Sequence, residues 1–252
     1  MEKGKRKKYR AKVIAIILAG GKGERIGRAY KQFFMIGRKP ILFYSLDKFI
    51  ESNSVDDIII VVPEEKHSFT KHLVSKKNYE KKISVITGGK TRRQSSYNAL
   101  KFIREHEPSC DLVIFHDGVR PLLSTEMINS VIQEAMKHDA AVLGSGILNV
   151  IAEVKNGFIK NTLPFNPKKV FNTQTPHCYK FDLILQAHES KKNEGRELDT
   201  LENIELVFNI GKKIRLIDSF YRNMKITFKQ DMVPVKAILK YGENKNSFFR
   251  LS

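Results

Sequence analysis

The sequence predicts an α/β fold: a mostly parallel central sheet covered by helices on both faces, with a β-hairpin arm projecting from it. Three observations predict it. Short β-branched runs are apolar throughout rather than alternating, as in strands buried on both faces. Amphipathic stretches of helical length separate them. Residues 147–165 then abandon that rhythm for alternation around an Asn-Gly pair.

In chain order, strands are expected at 13–19 (VIAIILA), 57–62 (DIIIVV), 83–87 (ISVIT), 111–115 (DLVIF) and 140–144. Helices are expected between them at 40–52, 64–76, 92–105 and 124–138. Right-handed crossovers would join parallel strands of this kind, which makes the arrangement a Rossmann-like three-layer fold. The arm is read from ILNVIAEVKNGFIKNTLPF, with its turn at Lys155-Asn156-Gly157. Beyond it come a helix near 179–189, another near 199–208, strands near 213–217 and 224–228, and a last helix near 230–241. Residues 13–242 are thus expected to form one domain, preceded by a basic flexible tail at 1–12 and followed by a frayed end at 243–252.

Composition narrows the partners. The 252 residues carry a formal net charge of +18, so polyanions are attracted: nucleic acid, anionic membranes or small phosphorylated substrates. Cys110 and Cys178 form no CxxC motif, which argues against a zinc site or a disulfide framework and makes a reducing, cytoplasmic setting the default. The start, MEKGKRKKYRAK before VIAIILA, imitates a secretory signal. Its apolar run is only seven residues and leads straight into glycines, with no cleavage pattern. Nothing approaches the roughly 20 apolar residues of a membrane span.

In such a sheet, ligands bind beyond the carboxyl ends of the strands. Three segments stand there: GGKGERIG at 20–27, GGKTRRQSS at 88–96 and HDGVRP at 116–121. Gly21, Gly23 and Gly27 give G-x-G-x-x-x-G, one residue too long for a dinucleotide fingerprint, and no Lys-Ser or Lys-Thr follows at P-loop spacing. What remains is a turn whose backbone N–H groups can approach phosphate oxygens, with Lys22, Arg25 and Lys31 beside it. The bland alternative is a tight strand-to-helix turn with solvated cations. In the second segment Thr91 suits a helix N-cap, and a capped helix start is itself an anion site. In the third, Asp117 ends an apolar strand, well placed to hold Mg²⁺ against a triphosphate. His116 has no His or Cys at ligand spacing and is read as a structural strand-end residue.

LAGGKGERIG followed by Lys31-Gln32-Phe33 resembles the L-A-G-G-x-G-x-R-M…K-Q-F signature of nucleotidyltransferases. That signature implies a reaction type but no particular base. Gly88-Gly89-Lys90-Thr91-Arg92-Arg93-Gln94-Ser95 resembles the G-G-x-x-R-x-x-S segment of the CTP-using branch. His116-Asp117-Gly118-Val119-Arg120-Pro121 is similar to H-D-A-A-R-P, Gln174-Thr175-Pro176-His177 to Q-T-P-Q, and Asn223-Met224-Lys225-Ile226-Thr227 with Asp231 to N-I-K-V-T…E-D-L. In family order from Ile14 to about Met232, these matches resemble the 2-C-methyl-D-erythritol 4-phosphate cytidylyltransferase family and its relatives, the ribitol-5-phosphate cytidylyltransferases.

The resemblance implies that Arg25, Lys31 and Lys225 stabilise charge on the phosphates as pyrophosphate leaves. It implies a nucleotide site of Leu18, Ala19, Gly20, Gly21, Gly23, Gly88, Gly89, Lys90, Arg92, Ser95 and Gly118. The acceptor would meet Asp117, Arg120, Lys168, Thr175 and Thr200, with Asp117 also holding Mg²⁺. The implied substrates are CTP and a small polyol phosphate, and the implied assembly is a homodimer through the arm. Methylerythritol 4-phosphate is the expected acceptor, with ribitol 5-phosphate or another surface-polymer precursor as the alternative. The match departs from the family at Asn149-Val150, where the arm would carry D-T. It departs again at Pro167, where an arginine is expected and Lys168 and Lys169 are adjacent, and at Tyr30, where a proline usually precedes the lysine. A basic nucleic-acid-binding protein is the competing class; it would interleave aromatics with cations, whereas here the cations gather at glycine turns.

Overall fold

The computed structural model describes residues 10–21, 30–163, 166, 168–190, 202–219 and 223–243. Residues 1–9 of the tail expected at 1–12, residues 244–252 of the end expected at 243–252, Gly23, Arg25 and Thr200 lie outside them.

Strand β1 (Val13–Leu18) lies inside the sheet, fifth of its seven strands. Around it the order is β11 (Arg215–Asp218), β7 (Ala140–Gly146), β10 (Phe171–Lys180), β6 (Leu112–Asp117), β1, β4 (Asp57–Val62) and β5 (Ile83–Thr87). All neighbours pair in parallel except β10, which runs antiparallel to both β6 and β7. Alternate residues of β1 face opposite layers. Val13, Ala15 and Ile17 pack with α1 (Ile41–Glu51) and α4 (Thr125–His138), joined by partly buried residues of α2 (Glu64–Ser75). Ile14 and Ile16 pack with α3 (Arg92–His106), α5 (Phe181–Glu189) and α6 (Asn203–Asn209). The mechanism is visible on α4. Ile128, Val131, Ile132 and Ala135 recur at helical spacing and are all at most 5% exposed, and each large apolar side chain buried this way contributes about 1.5–3 kcal/mol. Ser124 caps the start by accepting from the Met127 N–H, and Asp139 ends the helix in the left-handed region. Helix α7 (Met232–Glu243) closes a smaller cluster of Ile36, Ile41, Ile226 and Val235.

The arm is a separate two-stranded sheet of β8 (Ile151–Lys155) and β9 (Phe158–Leu163). Asn156 and Gly157 both take positive φ, 51° and 82°, as a tight primed hairpin turn requires.

The structure departs from the expected elements in four places. Residues 224–228 form no strand; the segment bonds to the third loop instead, the Ile226 N–H donating to Val119 O at 2.9 Å. Strand β10 was unforeseen, and the helix expected from 179 begins only at Phe181. The polar sequence FNTQTPHCYK hides a strand because Pro176 sits at a register shift between Gln174 and His177, where its missing N–H disturbs no ladder bond. A small hairpin, β2 (Met35–Ile36) with β3 (Lys39–Pro40), also had no periodic signal at its length.

Candidate active site

The described parts of the three segments, Gly20-Gly21, 88–96 and 116–121, converge because parallel strands end at one edge. Leu18 lies between Val61 and Asp117 in register. The backbone stitches the loops together there: Ala19 N–H donates to Val61 O (2.8 Å), Gly118 N–H to Leu18 O (2.9 Å) and Gly88 N–H to Val62 O (2.8 Å). Gln32, 2% exposed, holds the first loop, its Nε2 donating to Ala19 O at 2.5 Å and Gly21 O at 3.3 Å. Nothing in the local pattern Lys31-Gln32-Phe33 signals that task for Gln32.

The second loop is built around Ser95. Its hydroxyl donates to Thr91 O (2.9 Å) and accepts from the Gly89 N–H (3.1 Å). Thr91 caps α3 by accepting from Gln94 N–H at 3.1 Å, and the Lys90 N–H donates to Gln94 Oε1 at 2.9 Å. Glycine is required at two places. A Cβ at Gly89 would lie 2.3 Å from Gln94 Cβ, and one at Gly88 would lie 2.8 Å from Ser95 Oγ. The first loop touches the second here, since a Cβ on Gly20 would be 3.6 Å from the same oxygen. At Gly118 a Cβ would meet Leu42 Cδ1 at 3.0 Å.

Asp117 is the electrostatic centre. It is 6% exposed, and its Oδ1 accepts from Arg92 Nη2 at 3.0 Å. Its Oδ2 meets Arg120 Nε and Lys225 Nζ, each at 3.1 Å. Burial alone would raise its carboxyl, but Arg92, Lys225 and Arg120 outweigh that and hold it well below the usual range. Arg92 shows the converse balance: burial disfavours its charge, yet Asp117 and Glu202 raise its pKa. Glu202 Oε2 lies 3.5 Å from Arg92 Nη1.

A buried scaffold supports this cluster. Thr175 Oγ1 accepts from the Asp117 N–H at 3.0 Å, Arg120 Nη1 donates to Asn223 O at 2.8 Å, and Asn223 Nδ2 donates to Thr175 O. Thr175, 2% exposed, is therefore occupied in supporting Asp117. His116 and His177 are buried nearby. Burial, the largest influence on each, pushes them down to about 4 and about 3, so both stay neutral near pH 7. His116 Nε2 lies 3.2 Å from both Ser45 Oγ and Arg120 O, in keeping with a structural role.

Lys31 reaches the segment that carries Lys225, its Nζ donating to Thr227 O at 2.9 Å. Of the residues singled out in the sequence, Leu18, Ala19, Gly20, Gly21, Lys31, Gly88, Gly89, Lys90, Arg92, Ser95, Asp117, Gly118, Arg120, Thr175 and Lys225 belong to these linked loops. Lys168 is not joined to them. It is exposed in the turn between arm and β10, its backbone N–H donating to Asn166 Oδ1 at 2.9 Å. Sequence reading missed Glu202 and left Asn223 as a motif letter. Glu202-x-x-Glu205, a capping box starting α6, was the available signal for the former. The arrangement is a cationic, amide-rich mouth suited to a polyphosphate, and among the described residues no nucleophile-base pair of the hydrolase kind is assembled in it.

Comparison with known proteins agrees with that chemistry. Residues 13–241 match the profile of the family described as 2-C-methyl-D-erythritol 4-phosphate cytidylyltransferase. The protein so named from Clostridium perfringens is 36% identical over 233 residues, covering 91% of this chain and 99% of that one. Its Clostridium botulinum counterpart is 34% identical over 91% of this chain and 98% of its own. Among solved structures, 4-diphosphocytidyl-2C-methyl-D-erythritol synthase from Anaerococcus prevotii superposes with a TM-score of 0.76 at 26% identity, covering 92% of this chain and 100% of that one. The Francisella tularensis cytidylyltransferase, at 23% identity and a TM-score of 0.74 over 90% of this chain and 99% of its own, has the same fold. With matches running nearly end to end through the three loops and the Lys225 segment, the chain belongs to the 2-C-methyl-D-erythritol 4-phosphate cytidylyltransferase family.

Proposed function

We propose that this chain transfers CMP from CTP to 2-C-methyl-D-erythritol 4-phosphate, an oxygen of the acceptor phosphate attacking the α-phosphorus as pyrophosphate leaves. The product is the CDP-alcohol. One observation carries the reading: a single buried carboxylate, Asp117, gathers Arg92, Arg120 and Lys225 at the mouth between two glycine loops. A phosphate monoester is already nucleophilic near neutral pH, so no activating base is needed. The obstacle is repulsion between two polyanions, and fixed cations with oriented amides lower it without reorganising during the reaction. Lys31 and Lys225 are read as the cations that follow the developing charge. The 88–95 loop is read as the cytosine and ribose side, with Ser95 and the amides around Gly89 meeting the base.

Mg²⁺ takes oxygen ligands and is usually held by one or two carboxylates together with substrate phosphates. Among the described residues no group of three or more His, Cys, Asp or Glu stands ready for a metal. Both Asp117 oxygens are engaged by cations at 3.0–3.1 Å. That donor set does not fit an ion held by the protein, so no step is derived through one.

The arm supports pairing of two copies. Leu148 and Val150, leading into the hairpin, and Phe158 and Ile159 on it are 76%, 77%, 78% and 68% exposed, and such a hairpin is only marginally stable by itself. A second copy covering it would make the protein a homodimer. No described helix is long and apolar enough to cross a membrane, and a cytoplasmic setting accords with two buried, unpaired cysteines.

The test is pyrophosphate release with CTP, UTP, GTP and ATP in parallel, each with methylerythritol 4-phosphate or ribitol 5-phosphate. Turnover is expected with CTP and methylerythritol 4-phosphate. Preference for another base, or for ribitol 5-phosphate, would overturn the reading.

A further inference from the structure

Lys31 sits at the start of a three-residue 3-10 turn, Lys31–Phe33, which by itself offers little to fix its place. Its own backbone bonds are Phe33 N–H to Tyr30 O (3.0 Å) and Phe34 N–H to Lys31 O (2.9 Å), and no side chain caps it. Side chains anchor it instead. Gln32 ties it to the exit of β1. Phe33 packs edge-on against Phe69 of α2, with ring centroids 5.5 Å apart. Tyr30, just before Lys31, donates its hydroxyl hydrogen bond to Glu65 Oε1 in the first turn of α2. Lys66 Nζ lies 5.1 Å from the Tyr30 ring centroid and 5.6 Å from that of Phe69, a cation shared by two aromatic faces.

Helix α2 begins right after β4, the sheet neighbour of β1, so its first turn is a rigid post beside the phosphate mouth. Tyr30 has φ −71°, within the range that a proline ring would enforce. Here nothing covalent enforces it; the tether to α2 holds that backbone from outside.

We propose that Tyr30 is a positioning residue for Lys31: its hydrogen bond to Glu65 and its stacking under Lys66 fix the turn that aims the Lys31 ammonium at the triphosphate. This rests on the cytidylyltransferase reading above. Tyr30→Phe keeps the ring and removes only the donor. Glu65→Gln weakens the acceptor. A tether shared by the two residues makes their effects non-additive, because the double variant loses the same Tyr30–Glu65 bond that each single variant loses.

The experiment measures kcat and KM for CTP and for methylerythritol 4-phosphate in the parent, Tyr30→Phe, Glu65→Gln, the double variant and Tyr30→Pro, each with its melting temperature. Tyr30→Phe and Glu65→Gln are each expected to lower kcat/KM for CTP about 5- to 20-fold. The double variant should be no worse than the poorer single one, and KM for the acceptor and the melting temperature should hold steady. Tyr30→Pro, which restores the same φ by its ring, should recover at least half of what Tyr30→Phe loses. A Tyr30→Phe variant with parent kcat/KM for CTP would overturn the assignment, as would single-variant effects that multiply in the double. Should Tyr30→Pro fail to fold, the Phe/Gln cycle decides alone. A parent enzyme inactive with CTP would instead overturn the functional reading, so the two failures are distinguishable.

Discussion

Asp117→Asn tests the electrostatic centre. The substitution keeps size and some hydrogen bonding but removes the one charge that Arg92, Arg120 and Lys225 share. The pair with Arg120 is the buried one, the side chains being 10% and 8% exposed. Removing one partner of such a pair costs about 3–5 kcal/mol. Arg92 and Lys225 are 27% and 40% exposed, so solvent screens their share, and Asn still accepts a hydrogen bond. We therefore expect a loss of about 3 kcal/mol, which for a chain of this size lowers Tm by roughly 6–12 °C.

The sign with pH follows from the depressed Asp117 carboxyl. A carboxylate whose folded pKa lies below its unfolded value contributes stability above the unfolded pKa, about 3.9, and loses it as pH falls toward the folded one. The gap between parent and variant should thus be constant from pH 5 to 8 and narrow by about 1 kcal/mol at pH 3. Saturating CTP should recover part of the loss at pH 7, since the triphosphate supplies negative charge to the same three cations. The assay is thermal unfolding across pH, with and without CTP. A Tm within 2 °C of the parent at pH 7, or a gap that stays undiminished at pH 3, would refute the reasoning.

The remaining predictions concern the second loop and the arm. Gly89→Ala puts a Cβ 2.3 Å from Gln94 Cβ, so the loop must shift and KM for CTP should rise at least tenfold, read by steady-state kinetics. An unchanged KM would remove this loop from the nucleotide site. Deleting residues 149–163 should give a monomer by light scattering that retains CTP binding and loses acceptor use; a fully active truncated dimer would contradict the arm's proposed role.

Much of the architecture was legible because it follows from local periodicity. DIIIVV and VIAIIL can be buried only as central strands, and α1, α3 and α4 each bury an apolar stripe against the sheet. The site was legible where its chemistry needs special backbone. The glycines at 88 and 89 are required by contacts under 3 Å, and Asp117 ends its strand among cations. What escaped was set by tertiary contact. β10 is polar and carries Pro176 at its bulge, so no window of sequence reads as a strand. Residues 224–228 have strand composition, but their task is to carry Lys225 to Asp117. Gln32, Asn223 and Glu202 act through partners 13, 48 and 110 positions distant, Ala19, Thr175 and Arg92, which no local pattern encodes.

The most direct test is Lys225→Ala, assayed for kcat/KM with CTP and for melting temperature in the same preparation. Lys225 is 40% exposed beside Asp117, so its loss should leave the fold intact while removing a fixed cation from the phosphates. Electrostatic groups of this kind are each worth about 10²–10³ in rate. A fall of at least about 100-fold with Tm unchanged is predicted on that scale. Near-parent turnover in a well-folded variant would contradict catalysis by the Asp117-centred cations.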